Sequence, residues 1–416
     1  MLTSLNAVNL AGAALLDKSI VEALAQEPKP QPQPYGEPPS YSERRALITG
    51  ITGQDGSYLA EQLITRNYRV YGLVRRTSHL NFENLRGIIN DPRLTLLAGD
   101  VTDPGSVSGA VCATMPHEIY NLAAQSYVGA SWAQARATFE TNALGFLNVL
   151  EAVRPFVERR WVATAANGRG TVVPCPDIRI YQASTSEMFG EMPKPGPGDW
   201  PQQVKDTGGM SENSPMRPRS PYGAAKLAAH ALARVYRESY GMYVATGILF
   251  NHESPRRGLE FVTRKIARGV VRVKLGLQKK IILGDLSAAR DWGYAPEYTD
   301  VMWRILQQNL PGDYVVGTGE SHTVRDFLLA CMDAAGLDQS WQYVESDGTL
   351  MRWADVPVLR ADASKAEAVL NWKPVVGMKW LTEIMVKAEM EQAALQQPEP
   401  LRVELVDPKH LPPLGN

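Results

Sequence analysis

The segment of residues 49–57 constrains the fold of this chain more than any other part of it. Three glycines, Gly50, Gly53 and Gly56, follow the short apolar run at residues 46–49, and a helical pattern begins after them. Glycines let a backbone approach a pyrophosphate closely, and the N-terminal N–H groups of the following helix favour an anion. The spacing G-x-x-G-x-x-G therefore predicts a dinucleotide site between a first strand and a first helix.

Short apolar runs then continue to alternate with helical stretches. The runs typical of buried strands are residues 70–74, 94–98, 119–123 and 178–183, and residues 133–153 are typical of a helix between them. Such alternation predicts a parallel sheet with helices on both faces. After about Asn251 the alternation weakens, and helices are predicted at residues 324–336 and 379–391. We therefore predict an α/β fold, a Rossmann-like doubly wound parallel sheet with a smaller mixed C-terminal substrate-binding lobe.

Composition along the chain suggests four parts. Six of the twelve residues 28–39 are proline, a pattern that favours extended polyproline II and is typical of a linker. Two segments interrupt the alternation, residues 159–176 and residues 191–218, and the second is rich in proline and glycine. We predict that both are surface loops. The predicted parts are a Pro/Gln-rich flexible extension (1–44), a dinucleotide-binding domain with both loops (45–250), a mainly substrate-binding lobe with some return to the sheet (251–395) and a C-terminal tail (396–416).

Charge and cysteine content exclude several classes of protein. The chain has 416 residues with 43 Lys+Arg and 44 Asp+Glu, a net charge of -1, so we expect no nucleic-acid partner. It has no apolar run near the length of about 20 residues that spans a bilayer, so we expect no membrane partner. Cys112, Cys175 and Cys331 are far apart and odd in number. We expect no metal site, a reducing compartment and hence a cytoplasmic location.

Residues at the ends of the next predicted strands extend the dinucleotide site. Arg75 and Arg76 stand where an acidic residue would usually meet the ribose of NAD. Guanidinium groups at this position accommodate a 2′-phosphate, which predicts NADP rather than NAD. The cofactor-binding residues predicted in this way are Gly50, Ile51, Thr52, Gly53, Gln54, Asp55, Arg75, Arg76, Thr77, Ser78, Asp100, Val101, Leu122, Ala123, Ala124, Gln125 and Ser126.

Two further segments carry side chains suited to acid–base chemistry. Tyr222 and Lys226 lie one helical turn apart, so the phenol and the ammonium share a face. A nearby cation lowers a phenol pKa, and a phenolate beside a nicotinamide can take a proton while hydride leaves the same carbon. Thr185 and Glu187, after a predicted buried strand, add a hydroxyl and a carboxylate. These four residues are the predicted catalytic set.

These motifs together resemble a known family. Residues 49–57, 122–126, 184–190 and 222–226 resemble the extended short-chain dehydrogenase/reductases. Residues 250–258, 261–265 and 290–293 are similar to the GDP-mannose 4,6-dehydratases of that family, and the resemblance covers roughly residues 46–390. It implies an NADP-dependent hydro-lyase that converts GDP-mannose, or a close GDP-sugar, to a 4-keto-6-deoxy sugar. It also implies a homodimer or a homotetramer.

The resemblance also implies a role for each matching residue. Tyr222 would remove the proton of the sugar 4-hydroxyl, with Lys226 lowering its pKa and holding the nicotinamide ribose. Glu187 would remove the C5 proton and then protonate the departing C6 hydroxyl, while Thr185 binds the C4 oxygen. Further matches give cofactor contacts to Lys226, His252 and Arg257, and GDP-sugar contacts to Asn251, Lys265, Arg290 and Arg352.

Other functions stay open at this point. Tyr127, Ala137 and Tyr294 depart from the family's pattern, which leaves sugar specificity open between GDP-mannose and, for example, a GDP-heptose 4,6-dehydratase substrate. A GDP-4-keto-6-deoxymannose reductase is a second enzyme alternative, although it would not need Glu187. A non-catalytic nucleotide-binding scaffold is the alternative from a different class.

Overall fold

The computed structural model describes residues 43–77, 81–165, 177–190, 209–350, 356–394 and 405–411, with only the backbone for 159–165, 349 and 410. The predictions for Ser78, Arg352, Cys175 and nearly all of the 1–44 extension lie outside these residues. Contacts between Cα atoms divide the chain into two units, Met1–Gly36 and Glu37–Asn416. Everything that follows concerns the second unit.

A seven-stranded parallel sheet forms the centre of this unit. Its order is β3-β2-β1-β4-β5-β6-β11, so the strand order reverses direction between β1 and β4. The strands are β1 (Arg44–Thr49), β2 (Tyr68–Val74), β3 (Leu94–Ala98), β4 (Glu118–Asn121), β5 (Arg179–Thr185), β6 (Tyr243–Leu249) and β11 (Asp313–Val316). The predicted doubly wound parallel sheet is thereby confirmed, with the first five strands close to their predicted positions.

Helices cover both faces of the sheet. Every residue of β5 and β6 is buried, as expected for strands packed on both sides. The covering helices are α1 (Gln54–Thr65) and α7 (Ala295–Leu306), which pack together, and α2 (Pro104–Thr114), α4 (Gly145–Ala165) and α5 (Pro221–Tyr240), which enclose a hydrophobic cluster against the strands. Right-handed crossovers on either side of the reversal account for α1 on one face and for α2, α4 and α5 on the other. Helix α7, which lies between β6 and β11, instead shares the face of α1, against which it packs.

The later part of the chain forms a second hydrophobic cluster. It is built from α6 (Val262–Lys274), α8 (Val324–Ala335) and α10 (Met378–Ala394), with Phe327 and Leu381 fully buried inside it. The short strands here are β7 (Asn251–Glu253), β8 (Ile281–Leu283), β9 (Ala289–Arg290), β10 (Trp292–Tyr294), β12 (His322–Thr323), β13 (Val344–Ser346) and β14 (Val358–Leu359), and α9 is Ser364–Leu370. A boundary at residue 250 stays a prediction, since residues 37–416 form one compact unit.

Parts of both predicted loops are more ordered than expected. The first predicted loop follows the predicted helix at residues 133–153. In the structure this helix begins as α3 (Ala135–Phe139), passes through a π-helical turn (Glu140–Leu144) and continues as α4 to Ala165, into the predicted loop. The loop prediction is therefore wrong for residues 159–165, which contain no proline or glycine to end the helix. The described end of the second loop is also fixed, because Met210 N donates to the Arg360 carbonyl at 2.8 Å.

The described part of the C-terminal tail pairs with the edge of the main sheet. Val406 accepts a hydrogen bond from Ala98 N and donates one to the Leu96 carbonyl, both at 2.9 Å. This bridge covers the outer side of β3, which would otherwise be an open sheet edge. Among the described helices, none has the length and apolar character that a membrane crossing would need.

Candidate active site

A cavity of about 840 Å³ opens at the carboxyl edge of the sheet. Parallel α/β sheets bind ligands at this edge, at the point where the strand order reverses. The structure brings most predicted site residues to its wall: Thr185, Glu187, Tyr222 and Lys226 of the catalytic set; Asp55, Leu122, Ala124, Ser126, His252 and Arg257 of the cofactor set; and Asn251, Lys265 and Arg290 of the substrate set.

The other predicted cofactor residues lie beyond the cavity wall. They directly follow the carboxyl ends of β1 to β4, so they share one edge of the sheet with the cavity. They are Gly50, Ile51, Thr52, Gly53, Gln54, Arg75, Arg76, Thr77, Asp100, Val101, Ala123 and Gln125. An elongated ligand can therefore reach from the cavity along this edge.

The glycine loop after β1 packs tightly against the loop after β4. Gly50 has a φ of +72°, and a Cβ at this position would lie 2.8 Å from Ala123 N, so a larger residue would push the loops apart. Gly53 is the N-cap of α1 and has no side chain to cap the first-turn N–H groups. Those N–H groups remain available to an anion. The loop thus fits the pyrophosphate of a dinucleotide.

Polar side chains inside the sheet hold these loops in place. Thr49 Oγ1 accepts hydrogen bonds from Leu122 N and Ala123 N, both at 3.1 Å, and donates to Asn121 Oδ1 at 2.8 Å. Asn121 Nδ2 donates in turn to Gln182 Oε1 at 2.7 Å. Because these side chains satisfy one another, the ends of β1, β4 and β5 are fixed relative to each other.

The two arginines predicted for a 2′-phosphate are exposed. Arg75 and Arg76 follow the last residue of β2, where the resemblance expects the adenosine ribose. At the neighbouring strand end, Asp100 Oδ1 accepts hydrogen bonds from the backbone N and the hydroxyl of Thr102, both at 2.9 Å. One oxygen of this carboxylate thus holds its own turn, and Arg75 and Arg76 supply the positive charge at these two strand ends.

Tyr222 and Lys226 lie in the first turns of α5, which begins sharply. Ser220 caps this helix by accepting a hydrogen bond from Gly223 N at 3.0 Å, and Pro221 occupies the first turn. Burial raises the pKa of Tyr222 to about 12, against the effect of a hydrogen bond with Thr185. Burial lowers the pKa of Lys226 to about 8, and Lys226 Nζ donates to the Ala183 carbonyl at 2.9 Å.

Thr185 and Glu187 are set by the turn that follows β5. Thr185 Oγ1 accepts a hydrogen bond from Glu187 N at 3.3 Å, so Thr185 caps the turn and also contacts Tyr222. A Cβ at Gly223 would lie 2.7 Å from the Glu187 carbonyl oxygen, so only glycine allows α5 to approach this turn so closely. The phenol, hydroxyl and carboxylate are therefore brought to one wall of the cavity.

Three predicted substrate residues also line the cavity. Asn251 begins β7, Lys265 lies in the first turn of α6, and Arg290 ends β9. Arg290 is buried, and one guanidinium nitrogen donates to the carbonyls of Val356 at 2.7 Å and Ala289 at 2.9 Å. Its head group is thus anchored by backbone, which fixes a positive charge at the cavity wall.

Sequence reasoning missed two buried residues that shape the site. Asn142, in the π-helical turn, accepts a hydrogen bond from Gln125 N at 2.9 Å and donates to the Gln125 carbonyl at 3.0 Å. Glu253 accepts a hydrogen bond from Thr263 Oγ1 at 2.5 Å and forms an ion pair with Arg257 at 3.2 Å. Asn142 lies outside the motifs, and Glu253 lies within residues 250–258 but is given no role there. Only the fold brings each to its partners.

Comparison with known proteins agrees with this geometry. The family model described as GDP-mannose 4,6 dehydratase matches residues 47–385. GDP-mannose 4,6 dehydratase 1 of Arabidopsis thaliana is 46% identical over 84% of this chain and 90% of its own length. The GDP-mannose 4,6 dehydratase of Homo sapiens is 39% identical over 83% and 91%. The solved dTDP-glucose 4,6-dehydratase of Streptomyces venezuelae with NAD has 25% identity and a TM-score of 0.68 over 83% and 97%.

Proposed function

The chain belongs to the GDP-mannose 4,6-dehydratase family, and we propose that NADP is its cofactor and that Thr185, Glu187, Tyr222 and Lys226 are its catalytic residues. It is a hydro-lyase that converts GDP-D-mannose to GDP-4-keto-6-deoxy-D-mannose. The observation that supports the residue assignment best is that all four side chains line one cavity at the dinucleotide edge of the sheet. The following paragraphs give each of them a step in the reaction.

The bound nicotinamide would accept a hydride from C4 of the sugar and return a hydride to C6. Tyr222 removes the proton of the 4-hydroxyl as C4 is oxidised, so the C4 oxygen becomes a ketone. Burial raises the pKa of Tyr222 to about 12, so its action as a base needs this pKa to be lowered when substrate and cofactor are bound. The predicted lowering of this pKa by Lys226 stays a prediction, together with a contribution from the positive charge of an oxidised nicotinamide.

Glu187 and Thr185 act on the ketone that results. The C4 carbonyl acidifies C5–H, so the Glu187 carboxylate can take that proton and then give it to the C6 hydroxyl, which leaves as water. Thr185 binds the C4 oxygen through its hydroxyl, next to Tyr222, with which it already forms a hydrogen bond. One cavity with a phenol and a carboxylate serves both the redox and the elimination steps.

The charges at the cavity and the exposed arginines support the ligand assignments. Lys265 and Arg290 at the cavity wall suit the diphosphate of a GDP-sugar, and Asn251 lies beside them on β7. Arg75 and Arg76 suit the 2′-phosphate that distinguishes NADP from NAD. The coarser statement, a nicotinamide cofactor, holds for the solved dTDP-glucose 4,6-dehydratase with NAD as well.

Assembly and location belong to the same proposal. We expect a homodimer or a homotetramer, as the resemblance implies. A cytoplasmic location is supported by the odd number of cysteines, of which Cys112 and Cys331 are unpaired thiols in the described part of the chain. Light scattering of the purified protein decides between the two assemblies.

Deuterium labelling tests the reaction and its residues together. The protein is incubated with GDP-mannose in deuterated water with no added reductant, and the product is analysed by NMR. We expect a 4-keto-6-deoxy sugar with deuterium at C5, because the original C5 proton leaves with the C6 hydroxyl as water, and the proton that C5 takes up when hydride enters C6 comes from solvent. Glu187→Gln should still oxidise C4 but release no water, and a GDP-heptose in place of GDP-mannose is the specificity control. A wild-type product without deuterium at C5 would contradict the proposal.

A mass-spectrometric identification of the bound nucleotide tests the cofactor. Denaturing the purified protein should release NADP and little NAD. Release of NAD alone would overturn the assignment of Arg75 and Arg76 while leaving the catalytic set intact.

A further inference from the structure

An ion pair connects the cofactor edge with the substrate side of the cavity. Asp55 lies in the first turn of α1 and His252 lies in β7, next to Asn251. His252 Nε2 is 2.9 Å from Asp55 Oδ2, although 197 residues separate the two in sequence. Both side chains are largely removed from solvent, with 9% of His252 and 21% of Asp55 exposed. The pair therefore fixes the first turn of α1 relative to β7.

The surroundings of His252 require a charged ring. Its Nδ1 lies 2.8 Å from the Phe250 carbonyl oxygen, so both ring nitrogens face oxygen acceptors. A neutral imidazole has one N–H and can serve only one of these acceptors, whereas an imidazolium serves both. The ring also stacks on Tyr298, with centroids 4.6 Å apart, which fixes its plane. Burial disfavours the charge, but the Asp55 carboxylate outweighs it and raises the pKa of His252.

A second residue strengthens the same connection. Gln54, the first residue of α1, donates to the His252 carbonyl at 3.1 Å and accepts from Ser254 Oγ at 2.8 Å. Its amide nitrogen is also 3.0 Å from Asp55 Oδ1. The first turn of α1 is thus bound to both ends of the segment 252–254.

The ion pair also neutralises a negative charge that would disfavour cofactor binding. A carboxylate in the first turn of a dinucleotide-binding helix would repel a pyrophosphate bound at that helix end. The charge of His252 neutralises Asp55, and Arg257, the next nearest cation, is itself paired with Glu253 at 3.2 Å. The charge of His252 is therefore needed to offset the Asp55 carboxylate at the helix end.

We infer that Asp55 and His252 are positioning residues. As a charged pair they hold the glycine loop and β7 in the relative position that hydride transfer needs. The inference rests on the proposed function, because it concerns the alignment of a nicotinamide with C4 and C6 of the GDP-sugar. The two residues then act through their bond to each other, and either one alone is insufficient.

Kinetics of matched variants test this inference. Asp55→Asn and His252→Gln each keep a hydrogen-bonding group but remove one charge. Because small misplacements at a reacting centre are costly, we expect kcat to fall on the order of 10²-fold while KM for GDP-mannose changes less than about twofold. The double variant should be no slower than either single variant, since a broken pair cannot be broken again.

Asp300→Asn is the control. Asp300 pairs with Arg66, the C-cap of α1, at 2.6 Å and with Arg304 at 2.7 Å, away from the cavity. It should leave both kcat and KM unchanged. A raised KM with unchanged kcat for Asp55→Asn and His252→Gln, or a kcat loss of equal size in Asp300→Asn, would overturn the inference.

Two measurements on the purified protein, without GDP-mannose, separate this inference from the function. Hydrogen exchange in residues 50–57 should quicken about tenfold in His252→Gln, because the variant releases that loop from the distant β7. NMR should find both ring nitrogens of His252, one of six histidines, protonated at pH 7, and only one in Asp55→Asn. If exchange in residues 50–57 were unchanged in His252→Gln and His252 were neutral at pH 7, the charged pair would be refuted even in an active enzyme. If both results hold and no dehydration is seen, the function fails while the pair stands.

Discussion

Residues at the starts of the strands bind one another, whereas residues that follow the ends of the same strands face a cavity. At the amino edge, Glu118 of β4 is buried, and its Oε1 accepts hydrogen bonds from Tyr68 at 3.0 Å and Gln307 at 3.1 Å. Its Oε2 accepts one from Tyr120 at 2.7 Å, and Arg44 lies 3.5 Å away. The carboxylate is thus supplied with donors entirely from within the chain.

The amino edge also fixes the end of α7. Arg179, the first residue of β5, donates to the carbonyls of Leu306 at 2.7 Å and Gln308 at 2.9 Å. Tyr243, the first residue of β6, donates to the Gln308 carbonyl at 2.7 Å. These bonds satisfy C-terminal helix carbonyls, and the arginine charge suits the helix dipole.

The comparison separates two uses of buried polar groups in one sheet. At the amino edge the groups satisfy each other and add rigidity. At the carboxyl edge Tyr222, Glu187 and Lys226 border a cavity instead. We expect substitutions at the amino edge to change stability, and those at the carboxyl edge to change catalysis.

The largest effect should come from removing one hydroxyl at the carboxyl edge. Tyr222→Phe deletes the acid–base group, so we expect kcat to fall on the order of 10³-fold. Its melting temperature should stay close to that of the wild type. The measurement is product formation from GDP-mannose at saturating substrate.

Tyr68→Phe makes the same chemical change at the amino edge. It removes one donor to Glu118 and should cost about 1 kcal/mol of unfolding free energy. Its kcat per folded molecule should equal that of the wild type. If Tyr68→Phe slowed catalysis as much as Tyr222→Phe, the separation between the edges would be lost.

Removing the carboxylate of the amino edge should give the largest loss of stability. Glu118→Ala leaves Tyr68 and Tyr120 without this acceptor and Arg44 without its nearest counter-charge, and Gln307 Nε2 keeps only the Trp303 carbonyl. We expect about 3 kcal/mol less unfolding free energy, measured by urea denaturation. Glu43→Ala, which breaks an exposed pair with Arg69, should cost less than about 0.5 kcal/mol. Equal losses would show that burial does not matter here.

The sequence predicted the carboxyl edge far better than the amino edge. Phosphate binding and acid–base catalysis need particular residues at fixed local spacing, so Gly50, Tyr222 and Lys226 are recognisable within short motifs. Glu118 and Arg179 are single polar residues at strand starts, and their partners lie far away in sequence. Nothing local distinguishes them from solvent-exposed residues.

The same limit applies to the structure around the site. The first five strands could be predicted from apolar runs, but β11 and the bridge at Val406 could not. Both depend on pairing with distant strands, which a periodic pattern does not specify. The π-helical turn that places Asn142 against Gln125 likewise depends on tertiary contacts, since its sequence is compatible with an ordinary helix.

The exposed arginines offer a smaller and more selective effect. Replacing Arg75 and Arg76 by serine should weaken NADP binding about 30-fold, because two charge-assisted contacts to a phosphate are lost. Binding of NAD should change less than about twofold, since it has no 2′-phosphate. Titration with each nucleotide, after the bound nucleotide has been removed from the purified protein, measures both values. Equal weakening of NAD would assign the arginines to another part of the cofactor.

The smallest effect is a pH dependence, since burial shifts the pKa of one group at each edge in opposite directions. Burial raises the pKa of Glu118 and lowers that of Lys226 to about 8, so burial works against the charged form of both groups. Since catalysis needs the Lys226 ammonium, kcat/KM should fall about tenfold per pH unit above about 8.

Stability should respond to Lys226 in the opposite direction. The folded pKa of Lys226, about 8, lies below its ordinary value of 10.5, so the unfolded chain binds more protons between these pH values. The contribution of Lys226 to the unfolding free energy therefore rises with pH across this window, while kcat/KM falls. Urea denaturation of the wild type and of Lys226→Met, at pH 7.5 and pH 9.5, isolates this contribution. A parallel fall of activity and of the Lys226 contribution would mean that the carboxyl edge loses activity by unfolding rather than by deprotonation.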